Sequence, residues 1–226
     1  MNRQTAVVGL GRFGISVATT LCDIGHEVMA LDRSEAKVQN IAPKVTHAVQ
    51  ADATNEIVLR QLGIDSFHAA IVAIGTDIKS SVLCTILLKK MGIEYVVARA
   101  NDELHGSILN KIGADLVIYP EHEMGTRMAH ALTLVDVSDF MTVAEHYFVA
   151  KLTAPPYFVG ARLSELELGR EGKWEVPVLL IQRGREIIVS PRRGEKVQEE
   201  DVLVVAGSHD KLERLLADAR KKRNEE

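Results

Sequence analysis

The sequence predicts a doubly wound α/β domain followed by a smaller, β-rich α+β unit. Three observations point there. Short apolar runs alternate with helical patterns six times across residues 5–120, each alternation carries its own stop signal, and strand-rich sequence follows from about residue 135. Residues 5–10 (TAVVGL) form an apolar run ending at glycine, as a strand buried on both faces does. Ile15, Ala18, Leu21 and Cys22 then fall at helical spacing, with Gly25 as the C-terminal stop. Residues 28–31 are the next strand, ending at Asp32. Ser34 reads as the N-cap of a helix through Val38 and Ile41 that Pro43 stops. A strand at 46–49 and a helix through Leu59 and Leu62 follow. Next come a strand at 69–74, a helix at 77–91 closed by Gly92, a strand at 95–98, and a helix at 102–112 before Gly113. Residues 116–119 make the sixth strand, ended by Pro120. Such alternation implies a parallel sheet covered by helices on both sides.

Residues 121–134 read as a helix with Met124, Met128, Ala131 and Val135 along one face, a connector or a surface for another subunit. Beyond it lie strands at 146–153, 178–182, 186–190 and 202–206, with Gly184 supplying the hairpin turn, and a charged closing helix at 209–221 before a frayed tail. The expected domains are therefore 1–135 and 136–226.

Composition narrows the function classes. The chain has 226 residues, enough for a real core in one large or two modest domains. Its 27 basic and 31 acidic residues are interleaved and leave a net charge of −4, which excludes a concentrated basic grip on nucleic acid. The longest apolar runs, 69–74 and 202–206, fall far short of the ~20 residues of a membrane helix, and polar Asn2, Arg3 and Gln4 lead straight into a strand. The expectation is a soluble, cytosolic chain. Cys22 and Cys84 lack any metal-ligand spacing and read as reduced core residues.

The chemistry concentrates in Gly9-Leu-Gly-Arg-Phe-Gly14. This G-x-G-x-x-G follows a strand, opens a helix and precedes Asp32 at the next strand end, which is the Rossmann dinucleotide-binding pattern. Gly9 permits the turn, Gly11 lets a diphosphate approach the backbone, and Gly14 lets the helix pack close to the sheet. The helix N-terminus offers N–H groups to the phosphates. Asp32 can accept from ribose hydroxyls and disfavours a 2′-phosphate, an exclusion that Arg33 weakens slightly. Asp52 and Ala53 end the third strand, and Ile74, Gly75 and Thr76 end the fourth, at the same rim. Arg12 can reach a terminal phosphate. His105, His122, His130, His146 and His209 read as bland surface or helix residues, and no Ser/His/Asp order, HExxH or paired-carboxylate pattern stands out. A small NAD(H)-dependent oxidoreductase is the alternative on the fold alone, and a generic dinucleotide-binding adaptor is a third reading. The short second unit, with no evident acid–base residue, weakens the enzyme reading.

GLGRFG at 9–14, HEVMALD at 26–32, HAVQADAT at 47–54, AIVAIG at 70–75 and KIGADLVIYPE at 111–121 resemble the RCK (KTN, TrkA-type) domain of potassium transport regulators. VGARLSELEL at 159–168, VLLIQRGREIIVSP at 178–191 and VQEEDVLVVAGSHDKLERL at 197–215 resemble the family's C-lobe. The layout is similar to the cytosolic gating subunit of a Ktr-type uptake system. The resemblance implies a regulator: a homo-dimer assembling into a homo-octameric ring on an integral-membrane potassium transporter subunit (KtrB/TrkH-like). ATP and ADP share one site, and NAD or NADH can also bind. By matching position, Arg12 would face a terminal phosphate, Asp32 would hold the ribose, and Asp52 with Ala53 would contact the base; Arg33 and Ser34 are further expected cofactor-binding residues. Gly9, Gly11, Phe13 and Gly14 would form the phosphate loop. Ile74, Gly75, Thr76, Arg99, Ala100, Asn101 and His105 would line the pocket. Glu121, in the family's xPE motif, would help hold Mg²⁺ or Ca²⁺ beside the phosphates. In relatives the C-lobe can bind cyclic di-AMP. Here residues 169–176 are longer than the usual loop and carry the lone tryptophan, so no residue is assigned to that ligand. Glu200-Asp201 stands where Gly-Asp is usual.

Overall fold

The computed structural model describes residues 4–133, 137–144, 147–169 and 171–224. Val135, His146, Arg170 and the expected boundary between 135 and 136 lie outside them, as do the side chains of Ala131, His130 and His209. The chain divides into two compact units, Met1–His122 and Glu123–Glu226.

In the first unit β1 (Gln4–Val8), β2 (Glu27–Asp32), β3 (His47–Gln50), β4 (Ala69–Val72), β5 (Tyr95–Arg99) and β6 (Leu116–Ile118) form one parallel sheet, ordered β3-β2-β1-β4-β5-β6. Alternate residues of β1 explain why both faces are covered. Ala6 and Val8 join a core with Leu59, Cys84, Leu88 and Leu109, whereas Val7 joins one with Leu10, Ala18, Val38 and Ile41. Helices α1 (Arg12–Asp23) and α2 (Glu35–Ile41) thus cover one face, and α3 (Glu56–Gln61), α4 (Ile78–Lys90) and α5 (Glu103–Lys111) the other. Strand order reverses between β1 and β4, which opens a crevice at the carboxyl ends of those strands.

The local signals hold with physical exceptions. Asn55, Asp77 and Asp102 cap α3, α4 and α5 by accepting from the N–H groups of Ile57, Ser80 and His105. Ser34 is the N-cap residue of α2, but its hydroxyl makes no capping bond; its N–H donates to Asp32 Oδ1 at 2.9 Å instead. Pro43 sits inside a 3₁₀ turn, Ala42–Lys44, that continues α2, and Pro120 opens α6 (Pro120–Thr133) as well as ending the sixth strand. Met124 and Met128 are exposed on α6. Cys84 is fully buried, and Cys22 is partly buried and packs against the core on the other face of the sheet; both are free thiols.

In the second unit β7 (Val137–Ala144), β8 (Tyr147–Thr153), β9 (Val178–Arg183), β10 (Glu186–Val189) and β11 (Val202–Ser208) make an antiparallel sheet ordered β10-β9-β11-β8-β7. Helix α7 (His209–Asn224) lays Leu212, Leu215 and Leu216 into a core with Phe148, Phe158, Leu203 and Val205. It stays helical three residues past the expected end at 221. The long loop is anchored. Val176 is buried, the Lys173 ammonium lies 4.3 Å from the Trp174 ring centre, and Lys211 pairs with Glu175. Glu200 has φ +62, a conformation that glycine adopts more readily, which accounts for the glycine usual there.

Candidate functional site

The glycine turn is shaped by contacts that leave no room for side chains. Gly9, at φ +98, donates its N–H to Leu31 O at 2.8 Å, and a Cβ on it would stand 3.1 Å from the Ala73 backbone. A Cβ on Gly14 would fall 1.9 Å from Gly9 O. Helix α1 is thereby pressed against the end of β1. Around Gly11 the space is open, with nothing within 4 Å of the point a Cβ would occupy. No side chain caps α1 and no acid occupies its first turn, so its leading N–H groups have no side-chain cap to compete with an anion.

Asp32 ends β2 beside this turn. Its Oδ2 accepts from Leu10 N–H at 2.7 Å and from Lys37 Nζ at 3.0 Å, and its Oδ1 accepts from Ser34 N–H. Burial pushes its pKa up, but the bonds from Ser34, Leu10 and Lys37 together outweigh this and leave it below the ordinary value of 3.8. The carboxylate is thus fixed and ionised. One cavity of about 320 Å³ brings together Gly9, Gly11, Asp32, Arg33, Asp52, Ala53, Ile74, Gly75, Thr76 and Arg99 from the expected residues. Lys37, Thr54, Asp77 and Ser80 line it too and were not anticipated. Lys37 had a usable signal: the first turns of α2 follow directly from Asp32.

Arg12, Phe13, Gly14, Ser34, Ala100, Asn101, His105 and Glu121 do not line the cavity. Several of them support it from behind. Asn101 donates its amide to Gly75 O, and Ala100 is buried. His105 is 1% exposed; its Nδ1 accepts from Asn101 N–H at 3.3 Å, and burial lowers its pKa. Glu121 accepts from Arg99 Nη2 at 2.6 Å. A Cβ on Gly75 would lie 2.0 Å from Arg99 Nη1, so this glycine admits the guanidinium. Arg12 is exposed at the start of α1. Among the described residues no three His, Cys, Asp or Glu side chains gather as a metal site.

Asp52 sits in a local charge network with Arg33 and Thr54. Its carboxyl is lowered to about 2, first by the Thr54 hydroxyl, then against burial by Arg33 and the Thr54 N–H. A group depressed in the folded state stabilises it above its unfolded pKa and loses that contribution as pH falls through the folded value. Wild type is therefore expected to lose stability more steeply than Asp52→Asn between pH 4 and pH 2, read as melting temperature against pH. Asp32 adds a loss of the same sign in both proteins.

Comparison with known proteins identifies two domains in the chain. The TrkA-N domain matches residues 5–120, and the TrkA-C domain matches residues 148–219. Ktr system potassium uptake protein C of Bacillus subtilis is 39% identical over 92% of this chain and 93% of that protein. Ktr system potassium uptake protein A of the same organism is 38% identical over 94% and 95%. In fold the chain is similar to a solved GsuK channel bound to NAD, with a TM-score of 0.51 and 24% identity. The match covers 92% of this chain and only 37% of the channel's. No helix among the described residues is long and apolar enough to cross a membrane. With one domain type on the parallel sheet and the other on the antiparallel one, the chain belongs to the TrkA family of TrkA-N/TrkA-C (RCK) proteins.

Proposed function

We propose that this chain is a nucleotide-sensing regulatory subunit of a potassium transporter and not a catalyst. The observation that carries the reading is end-to-end similarity to Ktr potassium uptake proteins in a chain whose cavity suits an adenine nucleotide. Open α1 N–H groups would take the phosphates, Asp32 the ribose, and the Asp52–Ala53 and Ile74–Thr76 strand ends the rest of the ligand. ATP and ADP are the proposed ligands, with NAD or NADH as further occupants. Residues 1–135 would be the nucleotide-binding domain with its crossover helix, and 136–226 the C-lobe.

Mg²⁺ or Ca²⁺, when bound with ATP, would supply positive charge to the phosphates, and Glu121 is the proposed protein ligand. A single carboxylate plus phosphates suits Mg²⁺, and Arg99 must then release it. In the assembly we propose, dimers build an octameric ring that sits against the inner face of the membrane through its transporter partner. A ligand shifts such a ring only through different contacts in its two shapes. Arg12, exposed at the start of α1, would provide one toward a terminal phosphate.

Calorimetry of the purified chain with ATP, ADP, NAD and NADH, with and without Mg²⁺, tests this. The expected result is comparable affinity for ATP and ADP, with metal sensitivity for ATP alone, and loss of binding in Asp32→Ala. NADH-linked turnover of a substrate would instead favour the oxidoreductase alternative.

A further inference from the structure

Arg33 follows the carboxylate proposed to hold the ribose, a position from which a guanidinium can grip a 2′-phosphate. In this chain the guanidinium is already engaged. Its Nη2 donates to Asp52 Oδ1 at 2.7 Å and to Thr54 Oγ1 at 2.9 Å, while Nη1 lies 4.0 Å from Asp77 Oδ2. Asp52 and Thr54 follow β3, and Asp77 follows β4, so the side chain spans the cavity rim. The other cations lining the cavity are committed as well. Lys37 is bonded to Asp32 and Arg99 to Glu121.

We infer that Asp52 is a specificity-determining residue: by holding Arg33, it keeps the crevice selective for nucleotides with a free 2′-hydroxyl over those with a 2′-phosphate. A 2′-phosphate would arrive beside the Asp32 carboxylate. To find a cation it would have to draw Arg33 from two carboxylates and a hydroxyl. The discrimination is thus built from an occupied attractive group as well as from a repulsive one. The exclusion that Asp32 begins is completed by Asp52, because an Arg33 left free would offset it. Both side chains are about half exposed, so the pair is labile enough for the removal of one charge to release the other.

This rests on the nucleotide reading of the cavity, and the test separates the two. Asparagine at 52 keeps an Oδ1 to accept from the Thr54 N–H, now 2.9 Å from Asp52 Oδ1, so the local turn persists while the charge goes. The 226-residue chain is titrated with NADH and NADPH by fluorescence, and with ADP and 2′-phospho-ADP by calorimetry, at one ionic strength. Wild type is expected to favour the 2′-hydroxyl member of each pair. Asp52→Asn should narrow that preference by roughly tenfold, and adding Arg33→Gln should restore it. Arg33→Gln alone removes the cation but bares the Asp52 carboxylate, so it should not narrow the preference. Asp52→Ser, whose hydroxyl can still accept from the Thr54 N–H, carries the test with the same expected narrowing where Asp52→Asn fails to fold.

Retained binding with an unmoved ratio in Asp52→Asn would overturn the inference. So would narrowing that persists in the double variant, or narrowing caused by Arg33→Gln alone. A wild-type chain that binds none of the four ligands overturns the nucleotide reading itself, and this inference with it.

Discussion

Gly14→Ala is expected to cost the first unit about 3 kcal/mol or more, a fall of roughly 10 °C in its melting temperature, and to abolish the nucleotide binding proposed for it. The added methyl would meet Gly9 O at 1.9 Å and Ala73 Cβ at 3.1 Å. The first obstacle is backbone and cannot rotate away. Gly9 is itself pinned, since its N–H is bonded to Leu31 O and its φ of +98 admits little alternative. Relief must come from sliding α1 off the sheet, which opens the core around Leu10 and Ala18 and withdraws the helix end from the cavity. Gly11→Ala is the informative contrast. Nothing stands within 4 Å of its Cβ, and φ is an ordinary −78, so stability should change by no more than about 1 kcal/mol, the loss of glycine at an N-cap. Nucleotide affinity should nevertheless fall, because the methyl occupies the surface that a diphosphate would approach. Denaturant unfolding and calorimetry on the two variants separate the roles of the two glycines. Equal stability in both would show that the helix has room that this packing denies it.

These glycines were legible in the sequence because the strand–turn–helix context limits what each can do, and the same holds for Asp32. The alternating strands and helices of the first unit were legible for a related reason: each sits between its own glycine, proline or capping residue. Strand β7 was not, since Val137-Ser-Asp-Phe-Met-Thr-Val-Ala144 mixes polar and apolar residues and gets its partner from β8 rather than from its own pattern. Gly106 was equally opaque. A Cβ there would strike the Tyr119 hydroxyl at 1.8 Å, a meeting of α5 with the chain just after β6 that no local spacing announces. The Arg33–Asp52 pair spans 19 residues, and its formation depends on β2 and β3 being neighbours in parallel register. Sequence reasoning finds groups whose role is set by their own segment. It misses those whose role is set by what the fold brings beside them.

Asp201 is the clearest such case, for in sequence it is only the second residue of a Glu-Asp pair standing where Gly-Asp is usual. Its side chain is 0% exposed and accepts from Arg183 Nε at 3.0 Å, Arg183 Nη2 at 2.9 Å and Gln198 N–H at 2.8 Å. Arg183 also reaches Glu195 at 3.2 Å and Lys196 O at 2.9 Å, so one ion pair joins the end of β9 to the segment before β11. Breaking a buried pair from one side costs about 3–5 kcal/mol, mostly as the penalty on the charge left behind. The two sides are unequal here. Arg183→Met leaves a fully buried carboxylate with one backbone N–H for company, and is expected to cost about 5 kcal/mol. Asp201→Leu leaves a guanidinium that is 22% exposed and keeps Glu195 and Lys196 O, so its cost should lie at about 3 kcal/mol. The double variant should be more stable than Arg183→Met alone, because no charge remains stranded. Denaturant unfolding of the three proteins, followed through Trp174 fluorescence in the second unit, measures all of these. A double variant less stable than either single one would mean that the pair acts through its geometry and not through compensation of buried charge.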